Sequence, residues 1–133
     1  YSFVAPAANR KRTDIGWEIY PEGLGRVVHN LARQWPLPPL WITENGAADN
    51  TPVVNGVCND TLRCHYLQAH LEQVAKLTQE GVDLRGYYVW SLMDNFEWAQ
   101  GYSQRFGVVH VDYANQTRTP KQSARMLQAM LRA

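Results

Sequence analysis

Two short apolar runs, separated by a segment with helical periodicity, constrain most strongly what this chain can fold into. Residues 40–43 and 86–91 are rich in branched and aromatic side chains, as buried strands are. Residues 61–80 place apolar side chains three and four positions apart, which predicts a long amphipathic helix. Strand, helix and strand in this order predict a βα repeat whose strands lie parallel in one sheet.

Further elements flank this repeat. A first helix is predicted at residues 22–34, and a last helix begins with Thr119 as N-cap and Pro120 in its first turn and runs to about residue 131. The remaining predictions are a strand tail at 1–4, loops at 5–16, 47–60 and 94–105, and a short β excursion at 106–113. The positions predicted to face the core are Leu24, Val27, Val28, Leu31 and Trp35, then Leu67, Leu71, Val74 and Leu77 (or Thr78), then Ala124, Leu127 and Met130 (or Leu131).

The predicted sheet is too small to cover its own apolar strands. The 133 residues are enough for one domain, and a composition of 45% hydrophobic and 19% charged residues is typical of globular proteins. Two or three parallel strands, however, leave both sheet edges without partners and both faces short of cover. We therefore predict that residues 1–133 form a single unit that is part of a larger α/β sheet.

Charge and cysteine content argue against several classes of protein. The net charge is +1, and the cluster Arg10-Lys11-Arg12 is too short to indicate a nucleic-acid-binding surface. No apolar run reaches the length of a membrane span. Cys58 and Cys64 lack the spacing of metal ligands, so we expect no metal and no cofactor. Free thiols in a reducing, cytoplasmic compartment are favoured over a disulfide.

The first candidate site residue is Glu44, which follows the strand at 40–43 directly. Asn45 and Gly46 come next and predict a turn, because both tolerate positive φ angles. Glu44 is therefore expected at the carboxyl end of a parallel strand, where active-site side chains of α/β folds gather. A surface glutamate that opens a loop is the alternative.

The second candidate segment begins where the second strand ends. Trp90, Glu97 and Trp98 are expected at the same edge of the sheet as Glu44, if both strands are parallel. Indole rings beside carboxylates suit a sugar, whose C–H faces pack on aromatic rings while its hydroxyls donate to carboxylates. Asp94 and Asn95 lie between Trp90 and Trp98 in the same loop.

The five tryptophans can instead be core residues. This interpretation is favoured for Trp35, at the end of the first helix, and for Trp17. It fits Trp90 and Trp98 poorly, because they flank a loop rich in polar residues.

Several segments, in the correct order and spread over nearly the whole chain, resemble family 1 glycoside hydrolases, the β-glucosidase family. Ile42-Thr43-Glu44-Asn45-Gly46 is similar to the nucleophile motif of that family. Trp90-Ser91-Leu92-Met93-Asp94-Asn95-Phe96-Glu97-Trp98 is similar to its glycone-binding segment. The other similar segments are Asp14, residues 17–24, 81–87, 101–102, 105–107 and 118–121.

The resemblance implies a fold and a set of roles. The fold is the C-terminal part, roughly strands 6–8 with their helices, of a (β/α)8 TIM barrel, with strand seven at 40–43 and strand eight at 86–91. Glu44 would be the catalytic nucleophile of a retaining β-glucosidase. The implied substrate-binding residues are Trp90 under the sugar ring, Glu97 and Trp98 on its hydroxyls, and Phe106 in the pocket wall. Asn45 belongs to the motif without an assigned role.

One part of the family pattern is missing. The acid/base glutamate of the family lies in a Thr-x-Asn-Glu-Pro motif, and no Asn-Glu-Pro occurs in this sequence. Activity of this chain alone is therefore doubtful, and its expected partners are a β-glucoside or related sugar and either the missing barrel half or further copies of itself. A self-associating fragment that binds sugar without efficient catalysis, and an unrelated small α/β binding module, are the alternatives.

Overall fold

A computed structural model describes residues 8–132, and the predicted strand tail at residues 1–4 lies outside the described residues. The first four elements alternate between helix and strand, and the predicted bounds of the first helix match those observed. In chain order they are α1 (Glu22–Gln34), β1 (Leu40–Asn45), α2 (Thr61–Gln79), β2 (Leu84–Val89), a 3-10 turn (Trp98–Gln100), β3 (Val109–Val111), β4 (Arg118–Pro120) and α3 (Gln122–Met130).

The two main strands form the sheet on which the site is built. β1 pairs with β2 in parallel, which confirms the prediction of a βα repeat. The register is irregular near the end of β1: Ile42 pairs with Tyr87, but Asn45 pairs with Val89. β1 therefore carries one residue more than β2 across this interval, which is a β-bulge that includes Glu44.

α2 is the central helix of the described chain, since it contacts α1, α3 and β2. Leu67 and Leu77 are fully buried, as its periodicity predicts. The apolar stripe predicted for α1 is buried only in part: Val28 is buried, whereas Val27 is 58% exposed. Trp35 is 57% exposed, so the prediction that it is a core residue is wrong. Periodicity identifies the apolar face of a helix but does not supply the surface that covers it.

The start of the last helix differs from the prediction. Thr119 and Pro120 do not cap it, because they belong to β4, which pairs antiparallel with β3. α3 begins at Gln122, and the N–H of Ser123 donates to the buried carboxylate of Asp60. The carboxylate of Asp60, which is distant in sequence, thus accepts an N–H at the start of α3, where the sequence predicts Thr119 as the cap.

Both cysteines are free and buried, in agreement with the sequence interpretation. Burial raises the pKa of the Cys64 thiol to about 11, so this thiol stays protonated at neutral pH. Within residues 8–132, no helix combines the length and the apolar character that crossing a membrane requires.

Candidate active site

A cavity of about 640 Å³ opens where β1 and β2 end. All five residues predicted for the site line it, and four further residues complete the wall. The predicted residues are Glu44, Trp90, Glu97, Trp98 and Phe106, and the others are Trp17, Asn45, Gly46 and Tyr66. Parallel pairing is the reason that residues distant in sequence meet here, because it brings both carboxyl ends to one edge of the sheet.

Glu44 is exposed to this cavity, and no group within residues 8–132 donates a hydrogen bond to its carboxylate. The turn predicted at Asn45-Gly46 is not formed, because Asn45 is the last residue of β1 and neither residue has a positive φ angle. Gly46 instead continues the chain in close contact with Trp90. A Cβ atom at Gly46 would lie 1.8 Å from the carbonyl oxygen of Trp90, so only glycine fits. The backbone at Gly46 and the backbone of Trp90 are therefore packed directly against each other.

The Asn45 side chain is fixed by two tyrosines. The Tyr87 hydroxyl donates to Asn45 Oδ1 at 2.6 Å, and Asn45 Nδ2 donates to the Tyr66 oxygen at 3.3 Å. The Asn45 carbonyl accepts the N–H of Trp90 at 2.9 Å. Tyr66 was not predicted for the site, and its only sequence signal is an aromatic residue in the first turns of α2.

Asp94, which lies between Trp90 and Trp98 in the sequence, is not available to a sugar. It is 4% exposed, and its carboxylate accepts four hydrogen bonds from the protein. Lys121 Nζ lies 2.8 Å from Oδ1 and Arg105 NH1 lies 2.6 Å from Oδ2. The backbone N–H groups of Gly107 and Val111 are the other donors. Asp94 therefore anchors the loop that carries Glu97 and Trp98 to the start of α3.

Glu97 and Trp98 lie in a tight turn above this anchor. The Glu97 N–H donates to the Gly101 carbonyl, and its own carbonyl accepts the Gln100 N–H. Trp98 has a φ of 40° and its side chain is 83% exposed, so the indole lies at the mouth of the cavity. Phe106, by contrast, is 3% exposed and forms the inner wall.

Trp17 also belongs to the cavity wall, so the prediction that it is a core residue is wrong. It is 56% exposed, and its ring centroid lies 5.8 Å from that of Phe106 at an interplanar angle of 52°. The sequence signal was available, since Trp17 follows the turn at Gly16 and precedes the first helix. Trp17 is thus part of a group of exposed aromatic side chains around the cavity, and such a patch marks a binding surface.

A second buried ionic cluster joins the loops after β1 and β2. The Arg63 guanidinium, which is fully buried, donates to the carboxylate of Asp60 and to the carbonyl oxygens of Ala47, Asp49 and Arg105. Asp49 in turn accepts the Arg63 N–H through Oδ2 at 3.0 Å. The loop next to Glu44 and the loop next to Phe106 are thus held by one side chain.

The arrangement combines two carboxylates, Glu44 and Glu97, with five aromatic side chains around one open cavity. Such a wall provides C–H stacking surfaces and hydrogen-bond acceptors for a ring that carries several hydroxyls. Within the part of the chain that the structure describes, no cluster of three or more His, Cys, Asp or Glu side chains is arranged to hold a metal ion.

Comparison with known proteins identifies a family and several relatives. The profile of glycosyl hydrolase family 1 matches residues 4–133. A β-glucosidase from Agrobacterium sp. is 51% identical over 126 residues, which is 95% of this chain and 28% of that protein. β-Glucosidase A from Thermotoga maritima is 50% identical over 113 residues, which is 84% of this chain and 25% of that protein.

Solved structures show the same partial overlap. Virulence factor SghA from Agrobacterium tumefaciens, in complex with its substrate analog salicin, superposes with a TM-score of 0.91 at 50% identity and covers 95% of this chain and 28% of its own. β-Glucosidase from Thermotoga maritima in complex with deoxynojirimycin gives a TM-score of 0.93 at 45% identity, with 98% and 30% covered. The chain thus spans roughly a quarter of the length of the curated relatives it matches.

Proposed function

The chain belongs to glycosyl hydrolase family 1, and on that premise we propose that it supplies the nucleophile and part of the glycone site for retaining hydrolysis of β-glucosides. The observation that carries the proposal is the cavity in which Glu44 lies together with Trp90, Glu97, Trp98 and Phe106. β1 and β2 would be strands seven and eight of a (β/α)8 barrel, whose carboxyl-end loops form the active site.

Each residue has a role that follows from its position. One oxygen of Glu44 attacks the anomeric carbon, the bond from that carbon to the leaving oxygen breaks, and a glycosyl ester forms. Water then cleaves the ester, which regenerates the carboxylate and retains the β configuration. The Trp90 ring stacks under the sugar, Glu97 accepts from its hydroxyls, the exposed Trp98 indole donates to a neighbouring one, and Phe106 closes the inner wall.

The leaving oxygen needs a proton from a second carboxyl group, about 5–5.5 Å from the nucleophile in retaining enzymes. No Asn-Glu-Pro occurs in the chain, and Glu97 is assigned to the glycone. We therefore assign the acid/base role to the remainder of a family barrel, which this chain does not match in its relatives. That remainder, together with a β-glucoside or β-galactoside, is the proposed partner. The two free, buried cysteines support a reducing compartment such as the cytoplasm.

Covalent labelling of the 133-residue chain tests the nucleophile directly. We expect 2-deoxy-2-fluoroglucosyl fluoride, whose fluoride leaves without a proton donor, to add one sugar to Glu44, because fluorine at C2 slows hydrolysis of the ester. Intact mass and peptide mapping measure the adduct. Glu44→Gln is expected to remain unlabelled, and Glu72→Gln, an exposed glutamate on α2, is expected to label like the wild type. An adduct on another residue, or none in the wild type, would contradict the proposal.

A self-associating form of the same chain is the second candidate, and the exposed apolar surface favours it. Trp41 on β1 is 49% exposed, Tyr88 on β2 is 59% exposed and Val27 on α1 is 58% exposed. Large apolar patches on soluble proteins generally mark contacts with another chain, and a net charge near zero does not oppose them.

The size of the protein in solution separates the two candidates. Self-association predicts a discrete oligomer by light scattering, with a midpoint of cooperative unfolding that rises with protein concentration. The double variant Trp41→Lys with Tyr88→Lys is expected to convert the oligomer to a monomer. The matched double variant Glu72→Lys with Thr78→Lys, on the exposed side of α2, is expected to leave the oligomer intact. A monomer at all concentrations excludes self-association and favours the barrel remainder as partner.

A further inference from the structure

We infer that Asn45 is a positioning residue, which fixes the backbone beside Glu44 through the hydroxyls of Tyr66 and Tyr87. The inference rests on the proposed function, since it concerns how the nucleophile is aimed. Neither tyrosine has a role among those proposed above, although both contribute a hydroxyl to one amide next to Glu44.

Glu44 needs such support for two reasons. It lies in the β-bulge between Ile42 and Asn45, where the ladder to β2 is interrupted. A bulge redirects a side chain but removes the backbone bonds that would otherwise hold the residue in place. Within residues 8–132 nothing donates a hydrogen bond to the Glu44 carboxylate. The direction of this side chain therefore depends on how firmly the backbone on either side of the bulge is held.

Asn45 is the first residue that returns to the ladder after the bulge. It is held at three points: its carbonyl accepts from Trp90, Oδ1 accepts from Tyr87, and Nδ2 donates to Tyr66. These contacts come from the loop after β2, from β2 itself and from α2, so they oppose displacement in different directions. The partners are rigidly placed, because Tyr66 also stacks on buried His70 with ring centroids 3.9 Å apart.

The hydrogen bonds to the amide have a defined polarity. Tyr87 donates its only proton to Asn45, and Asn45 donates to the oxygen of Tyr66, which leaves the Tyr66 proton free. Both phenols are held neutral, since burial raises the pKa of Tyr66 and of Tyr87. A side chain without an amide cannot satisfy both tyrosines, so an aliphatic residue at this position removes the side-chain hydrogen bonds to β2 and α2 while the carbonyl bond to Trp90 remains.

Loss of the amide should therefore slow attack by Glu44 while leaving sugar binding intact. A displacement of about 1 Å can cost about 10²-fold in the rate of a positioned reaction. The sugar contacts proposed for Trp90 and Glu97 use other groups, and the carbonyl bond that holds Trp90 is a backbone bond. The expected signature is a change in the rate constant of glycosylation without a change in affinity.

The test measures labelling of the 133-residue chain by 2-deoxy-2-fluoroglucosyl fluoride over a range of concentrations, which separates the maximal rate constant from the half-saturating concentration. We expect Asn45→Ala to lower the rate constant about 10- to 100-fold and to change the half-saturating concentration less than about threefold. Tyr66→Phe with Tyr87→Phe is expected to reproduce most of this loss. Adding Asn45→Ala to that pair should have little further effect, because residues that act as one unit are not additive.

Tyr88→Phe, which removes an exposed hydroxyl from the same strand, is the matched control and should label like the wild type. If Asn45→Ala does not fold, the two single phenylalanine variants decide the question, since each removes one hydrogen bond only. Wild-type rates in variants that fold, or a loss confined to affinity, would overturn the positioning role and leave Glu44 as nucleophile. A wild-type chain without an adduct on Glu44 would overturn the proposed function and this inference together.

Discussion

Asp94→Ala is expected to lower the free energy of unfolding by about 3–5 kcal/mol, the cost of removing one partner of a buried ion pair. The substitution leaves Lys121, which is fully buried, without its carboxylate and removes acceptors from Arg105, Gly107 and Val111. Burial lowers the pKa of Lys121, and the hydrogen bond from Lys121 to Asp94 opposes that lowering. Without Asp94 the lysine must lose its proton or leave the interior.

Urea titration monitored by tryptophan fluorescence measures this loss. Asp83→Ala is the matched control, because Asp83 pairs with Arg85 at 2.8 Å on the surface, with side chains 54% and 55% exposed. An exposed pair contributes little to stability, because water screens the two charges. Equal losses in the two variants would show that the interior pair contributes nothing beyond a surface pair. The Asp94 variant should also lose the sugar site, since its loop carries Glu97 and Trp98.

The second large effect is the loss of catalytic turnover when Glu44 is replaced in a complete barrel. A chimera in which this chain replaces the 126 residues it matches in the Agrobacterium β-glucosidase is expected to hydrolyse aryl β-glucosides, because the remainder supplies the acid/base carboxyl group. In that chimera Glu44→Gln is expected to lower kcat by about 10⁴-fold or more, as removal of a covalent nucleophile does. An amide in place of the carboxylate cannot form the glycosyl ester.

Initial rates with 4-nitrophenyl β-glucoside measure the effect, and circular dichroism verifies that the variants fold. Glu72→Gln, on the exposed side of α2, should leave kcat within about twofold of the parent chimera, because surface substitutions generally have small effects. A Glu44→Gln chimera that keeps a tenth of the parent rate would exclude Glu44 as the nucleophile. An inactive but folded parent would instead show that this chain does not complete the site.

Sequence periodicity predicted the helices and the parallel pair well, since apolar spacing and turn residues are local signals. β4 was missed because Thr119-Pro120 also fits a helix start. Tertiary contacts make Arg118–Pro120 a strand instead, because it pairs with β3. Lys121 is extended, and its amine donates to Asp94. No local pattern reports a contact between residues so far apart in the chain.

In the candidate site, too, local sequence patterns do not report contacts between residues that are distant in the chain. Residues at strand ends, such as Glu44 and Trp90, were predicted to meet because parallel pairing fixes where strand ends lie, and they line one cavity. Their catalytic roles stay predictions. Asp94 lies between Trp90 and Trp98 in the sequence, yet four hydrogen-bond donors enclose it, and no local pattern indicates those donors. Tyr66 was overlooked because a helix periodicity gives no sign that its hydroxyl meets Asn45.

Arg63 has a consequence for how this site can be altered. One guanidinium group holds carbonyl oxygens of Ala47 and Asp49 on one side and of Arg105 on the other. Widening the cavity by redesigning a single loop would pull on the other through this shared side chain. The two loops therefore behave as one exchangeable module, and engineering a new sugar specificity requires both to be transplanted together with their arginine.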